Sequence, residues 1–204
     1  ARGYQGEKGD VKALAMKKWF NTNYHYMVPE IDDNTVLKLS DNKPFELFTE
    51  ALDNGVKTTP VIIGPYTFLE LARYIGTKTK ENFFGNITDA YIQIIGKFVT
   101  LGAEWLQLDE PCLVKDMSRE DIEFFNSLYT KILENKNGLK IRLQTYFGDV
   151  RDCYKEICAL DFDGIGLDFI EGKKTHELIE KNGFPCDKVL FVGVVNGKNI
   201  WRNN

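Results

Sequence analysis

Asp109 and Glu110, followed at once by Pro111, are the sharpest chemical feature of this sequence. They close the run Glu104-Trp105-Leu106-Gln107-Leu108, so two carboxylates stand at a strand end with the next backbone angle fixed by proline. Such a pair can act as a general base or hold a substrate ammonium. Neighbours on a strand point to opposite sides, so only one of the two faces an open mouth. The plainer reading, preferred on the residues alone, has the other capping a helix or pairing with a lysine.

The remaining candidates are single residues. Lys18, between Lys17 and Trp19, could hold an anionic ligand as an ammonium point charge, but by itself it reads as an exposed helix lysine. His25 sits between two tyrosines and reads as a satisfied core histidine before it reads as a ligand. His176 lies in a charged helix and reads as solvated surface. Trp201 with Arg202 could stack on and pair with a ligand carboxylate, or could seal one end of the fold. With two histidines far apart and no His or Cys pair at a strand end, a zinc site of three or four N/S ligands is not expected.

Elements that would position these residues alternate along the chain. Asp10 is a suitable N-cap for a helix over 11–20, where Val11, Leu14, Ala15 and Trp19 recur at helical spacing. Residues 24–28 read as a strand stopped by Pro29. Helices are expected over 44–54, 66–75, 87–101, 118–134, 149–159 and 173–181. Between them fall short, mostly apolar strands at 60–64, 104–108, 139–146, 164–169 and 189–195, which with 24–28 makes six. Strands alternating with helices mean a parallel sheet, doubly wound or closed as a barrel. The barrel is favoured. No G-x-G-x-x-G or P-loop follows a strand, and polar residues gather after strand ends, the face where barrel chemistry sits.

Bulk properties exclude several classes. The 204 residues are 43% hydrophobic with a net charge of -4 and both signs mixed, enough for one domain with a real core and no footprint for nucleic acid. No apolar run approaches the roughly 18 residues needed to span a bilayer, so no membrane role is expected. Cys112, Cys153, Cys158 and Cys186 match neither a disulfide framework nor a zinc ribbon, and read as reduced thiols of a cytoplasmic protein. The polar, glycine-rich start and the end at Asn204 both look like cuts through a larger protein.

These motifs together resemble a known family. The run from Lys18 to Glu30, KWFNTNYHYMVPE, looks like a signature of the N-terminal domain of cobalamin-independent methionine synthase, the 5-methyltetrahydropteroyltriglutamate–homocysteine S-methyltransferases. Gly64-Pro65-Tyr66-Thr67-Phe68, the segment 105–111, Thr145-Tyr146-Phe147, Gly166-Leu167-Asp168 and the segment 193–202 follow in the family's order. The resemblance implies two (β/α)8 barrels from one duplicated ancestor. The C-terminal one carries a zinc that activates homocysteine as its thiolate. It further implies that this chain is an incomplete barrel, strands three to eight of the N-terminal domain, over 1–204, lacking two strands and the whole catalytic barrel.

By the same resemblance Lys18 matches a contact to the folate polyglutamate tail, which displaces the surface-lysine reading. The zinc-bearing barrel takes His and Cys from its sixth strand, Glu from its seventh and Cys from its eighth. Here the sixth offers Arg142, Leu143, Gln144 and Thr145, and the eighth ends in Asn196. No catalytic residue, metal or cofactor is therefore expected in this chain, and Asp109-Glu110-Pro111 reads as a relic of duplication with a structural job. The expected partners are the triglutamate folate, the chain's own C-terminal barrel and, through exposed barrel edges, a second copy. The alternatives are a stand-alone barrel enzyme using Asp109 or Glu110 as acid–base, and a non-catalytic docking module.

Overall fold

The computed structural model of the protein describes residues 3–7 and 9–202. Its centre is a five-stranded parallel sheet of β4 (Val61–Ile63), β6 (Trp105–Asp109), β7 (Lys140–Gln144), β8 (Gly164–Asp168) and β9 (Val189–Gly193), in that order. Helices α2 (Pro65–Leu71), α3 (Phe84–Thr100), α4 (Arg119–Leu133), α5 (Tyr154–Ala159) and α6 (Thr175–Asn182) lie in the connections, and α1 (Lys43–Asp53) precedes β4.

The two-residue period of a strand decides what each face of this sheet meets. Leu106, Leu108, Ile141, Leu143, Ile165 and Leu167 point one way and are each at most 1% exposed. They share one apolar cluster with Ile95 and Phe98 of α3, Phe125, Leu128 and Ile132 of α4, and Ile157 of α5. Each such side chain contributes about 1.5–3 kcal/mol by leaving water. The alternate positions, Gln107, Asp109, Arg142, Gln144 and Asp168, turn to the opposite, polar face. Gly164 and Gly166 sit there because a Cβ would lie 2.6 Å from the Phe191 ring and 2.1 Å from the Gln144 amide.

Local sequence sets the element ends. Ser118 Oγ accepts from the Asp121 N–H at 3.1 Å while the Asp121 carboxylate accepts from the Ser118 N–H at 3.1 Å, a reciprocal cap at the start of α4. Most expected helices and strands stand within a few residues of their expected limits, with α5 starting later than expected, at Tyr154.

Three expectations are corrected. Residues 11–20 form no helix. Instead β1 (Met16–Lys18) pairs antiparallel with β2 (His25–Met27), Lys18 opposite His25. The loop between them is held by Trp19 N–H on Tyr24 O at 2.7 Å and Thr22 Oγ1 on Trp19 O at 2.6 Å. The would-be helical stripe is not buried as one face: Val11 is 60% exposed and Ala15 exposed, while Trp19 packs on Phe20 and Tyr26. The strand at 24–28 is thus part of a hairpin, not a sixth strand of the parallel sheet. The expected helix over 66–75 ends at Leu71, and β5 (Arg73–Ile75) pairs parallel with β3 (Glu30–Asp32) in a separate two-stranded sheet.

Candidate functional site

At the end of β6 the two carboxylates part, as strand alternation requires. Glu110 is fully buried. Its Oε1 accepts from the Tyr66 N–H at 3.0 Å and the Tyr129 hydroxyl at 2.6 Å, and its Oε2 from the Thr67 N–H at 2.7 Å. These amides open α2, whose N-cap is Gly64 and whose first residue is Pro65, so neither residue can cap it by side chain. Glu110 supplies the missing acceptor from another strand. A Cβ on Gly64 would lie 2.1 Å from the Glu110 carboxylate, which is why glycine stands there. Burial raises the Glu110 carboxyl to about 7 against the pull of its donors.

Asp109 turns to the polar face. It accepts from Gln107 Nε2 at 2.6 Å and from the Tyr146 hydroxyl at 3.1 Å. Burial raises its pKa, opposed by those donors and by the Arg142 charge. Arg142 lies over the Phe191 ring, 4.3 Å from its centroid. Among the described residues, Arg142 Nε and Gln107 Oε1 are buried without a hydrogen-bond partner.

The open space lies beyond β7, β8 and β9, under the hairpin loop. A cleft of about 820 Å³ is lined there by Trp19, Tyr24, Tyr146, Phe147, Asp168 and Lys198, among others. Asp168 builds its floor. Its Oδ2 accepts from Phe147 N–H at 2.9 Å, and its Oδ1 from Ile170 and Glu171 N–H at 2.8 and 2.9 Å. Glu171 ties two walls together by accepting from Asn21 Nδ2 at 3.2 Å and pairing with the Lys198 ammonium. Those contacts hold its carboxyl below the usual range, Lys198 contributing most.

The sequence candidates distribute unevenly around this cleft. Lys18 is exposed on β1, immediately before cleft-lining Trp19, and makes no ion pair within 4.0 Å among the described residues. His25 is exposed on β2, which corrects its reading as a core histidine. His176 is on the surface beside Glu180, Nδ1 to Oε1 3.2 Å. Trp201 is 77% exposed and seals nothing among the described residues. The four cysteines are free. The rule that polar residues after strand ends form the working face points to Asp168, Glu171 and Lys198, whereas no signal in the sequence marks Asn21.

The strand ends do not fit a resident zinc. Gln144, Thr145 and Asn196 offer amide and hydroxyl oxygens, and Asp168 is committed to three backbone amides. No group of three or more His, Cys, Asp or Glu among the described residues is placed to hold a metal. Likewise, no helix among them is long and apolar enough to cross a membrane.

Comparison with known proteins converges on one family. Residues 1–204 match the family described as cobalamin-independent synthase, N-terminal domain. The 5-methyltetrahydropteroyltriglutamate–homocysteine methyltransferase of Streptococcus thermophilus is 55% identical over 204 residues, all of this chain and 27% of the relative. The protein of the same name from Lactococcus lactis subsp. cremoris is 54% identical over the same share. The chain thus spans about a quarter of the length of these curated relatives. A structure of a putative vitamin-B12 independent methionine synthase from Listeria monocytogenes superposes with a TM-score of 0.68 at 16% identity, over 86% of this chain and 58% of that one. A methyltransferase from Methanosarcina mazei gives 0.59 at 16% identity, over 87% and 58%. At that identity the two structures speak to the α/β fold alone. The chain belongs to the cobalamin-independent synthase family and matches its N-terminal domain.

Proposed function

We propose that this chain is part of an enzyme that moves a methyl group from 5-methyltetrahydropteroyltriglutamate to homocysteine, forming methionine. The observation that carries the reading is 55% identity along the whole chain to a relative of that name. In this reading the chain contributes no catalytic residue. It braces a zinc-bearing catalytic barrel that lies elsewhere in the protein, and its Lys18 meets a carboxylate of the folate tail. What supports that role is that Lys18 is exposed, makes no ion pair within 4.0 Å among the described residues, and immediately precedes cleft-lining Trp19. Cytoplasmic residence goes with folate chemistry and with free thiols.

We further read the five-stranded sheet as a sector of a (β/α)8 barrel within a single domain. Neighbouring strands follow chain order, and the apolar face carries the helices while the other is polar. A doubly wound sheet would reverse direction and place helices on both faces. The acid–base alternative loses ground because Glu110 is fully buried and engaged by three donors.

The test is methionine formation by the full-length protein from triglutamate folate and homocysteine with zinc supplied. Absence of product under conditions where a known relative turns over would sink the reading.

A further inference from the structure

One row of side chains on the polar face of the sheet is short of partners. Strand register places Val61, Gln107, Arg142, Gly164 and Val189 side by side across β4, β6, β7, β8 and β9. Both ends of the row are bare, Val61 being 55% exposed and Val189 48%. Its middle is polar. Gln107 is 8% exposed, and its Oε1 meets no donor among the described residues. Directly opposite it, Arg142 Nε is buried and meets no acceptor.

Neighbouring rings fix how Arg142 is presented. Gly164, having no Cβ, lets the Phe191 ring lie where a Cβ would stand 2.6 Å from it. Trp105 meets that ring edge-on, 5.8 Å between centroids. The guanidinium lies over the same ring, 4.3 Å from its centroid. Stacking of this kind holds the planar fork and leaves its edge donors for a second group. Arg142 makes no ion pair within 4.0 Å among the described residues. The carboxylates that share this face are engaged elsewhere: Asp109 accepts from Gln107 and Tyr146, and Asp168 from three backbone amides. Burial pulls the Arg142 pKa below its ordinary value, and the Asp109 charge opposes this. A guanidinium taken out of water without a counter-charge is strongly destabilising. A wall that closes over this face must therefore bring one.

We propose that the segment closing the barrel over this face sets a carboxylate on Arg142 and a hydrogen-bond donor on Gln107 Oε1. That segment lies in the full-length protein outside these 204 residues, which cover 27% of a curated relative. A carboxylate fits better than a carbonyl, because its two oxygens match the guanidinium fork and its charge cancels the buried one. This rests on the barrel reading above and adds to it the chemistry of the wall that completes the barrel.

The experiment is a crystal structure of the full-length protein, paired with thermal unfolding of Arg142→Met and Arg142→Lys and of Arg142→Met in an Asp109→Asn background. The structure is expected to show a carboxylate oxygen from outside the 204 residues within about 4 Å of the guanidinium. Arg142→Met keeps the volume but strands that carboxylate, and lowers the first unfolding midpoint by about 5 °C or more. The loss is the same in the Asp109→Asn background. Arg142→Lys keeps the charge and loses less. An unchanged midpoint in Arg142→Met overturns the proposal. So does a loss that disappears with Asp109→Asn, or a covered guanidinium bonded only to Asp109 and Gln107, and both leave the barrel standing. Val61 and Val189 still open to solvent in the full-length structure would remove the barrel reading and the proposal together.

Discussion

Lys18 matters at the scale of single residues because it is an ammonium without an ion-pair partner among the described residues. If it meets a tail carboxylate far from the methyl group, it binds substrate and transition state alike. Lys18→Ala should then raise KM for the triglutamate folate, by about fivefold to tenfold, more than it lowers kcat. Steady-state kinetics on the full-length protein check this, and an unchanged KM removes Lys18 from the site. The sequence pattern placed Lys18 on a helix where the structure has a strand, and its proposed use rests only on the family resemblance. The cleft lined by neighbouring Trp19 was harder to read. Nothing in the local sequence marks Phe20 (φ 51°) or Phe147 (φ 74°) for a left-handed backbone, because the cause is a carboxylate 21 residues away and an adjoining indole. That one of Asp109 and Glu110 would face the open side was legible, but not which one, and the Asp109 partners Gln107 and Tyr146 come from the strand period and from the next loop.

Glu110 shows what one side chain does at the scale of elements. It joins the end of β6 to the first amides of α2 and to Tyr129 of α4, so three elements depend on one buried acceptor. Its folded pKa of about 7 lies above the ordinary 4.5. The folded state therefore binds more protons than the unfolded between those values. This group's contribution to stability is fully present below about pH 4.5 and is lost as pH rises through 7. The slope is at most about 1.4 kcal/mol per pH unit for one proton. Glu110→Gln should flatten this dependence and cost about 1–3 kcal/mol, because an amide NH2 would face an α2 N–H. Denaturant unfolding at pH 5 and pH 7.5 measures both, and parallel pH dependences in wild type and variant would rule out Glu110 as the source. The division between legible and hidden elements has the same physical root. The apolar run 60–64 and the apolar alternation of 139, 141 and 143 marked strands, and Ser118 with Asp121 announced α4. The 11–20 segment misled because Val11, Leu14, Ala15 and Trp19 match a helical period by coincidence. The Asn21-Thr22-Asn23 turn and the Trp19–Tyr26 ring contact, 5.7 Å between centroids, instead favour a hairpin. β3 (Glu30-Ile31-Asp32) and β5 (Arg73-Tyr74-Ile75) escaped because, unlike the equally short β4 (Val61-Ile62-Ile63), they carry charged residues and no continuous apolar run.

For the molecule as a whole, the distribution of donors separates this chain from the chemistry proposed for the complete protein. Strand ends supply oxygens that are largely committed to the fold, so the 204 residues alone should not convert homocysteine and methyltetrahydrofolate to methionine. Metal analysis after dialysis should find no stoichiometric zinc; one tightly held zinc with a homocysteine-dependent spectrum in the cobalt-substituted protein would contradict this. The same 204 residues leave the sheet open. Among the described residues β4 and β9 each have one neighbour in the five-stranded order, so each presents an unpaired backbone edge. Both edges are apolar as well: Val61 is 55% exposed, Val189 48% and Val192 50%, and Val195 beyond β9 is 76% exposed. An edge with free amides and carbonyls beside bare valines is a template for another strand, because pairing satisfies the backbone and removes apolar area from water together. In the full-length protein, the barrel reading closes this gap with further strands. Expressed alone, the chain should therefore self-associate or aggregate with marginal stability. Lys or Glu at 61 and 192 should shift it toward monomer by making edge pairing costly. Sedimentation velocity across a concentration series decides the matter. A monodisperse, thermally stable monomer of the unmodified chain would mean that something other than further strands already protects β4 and β9.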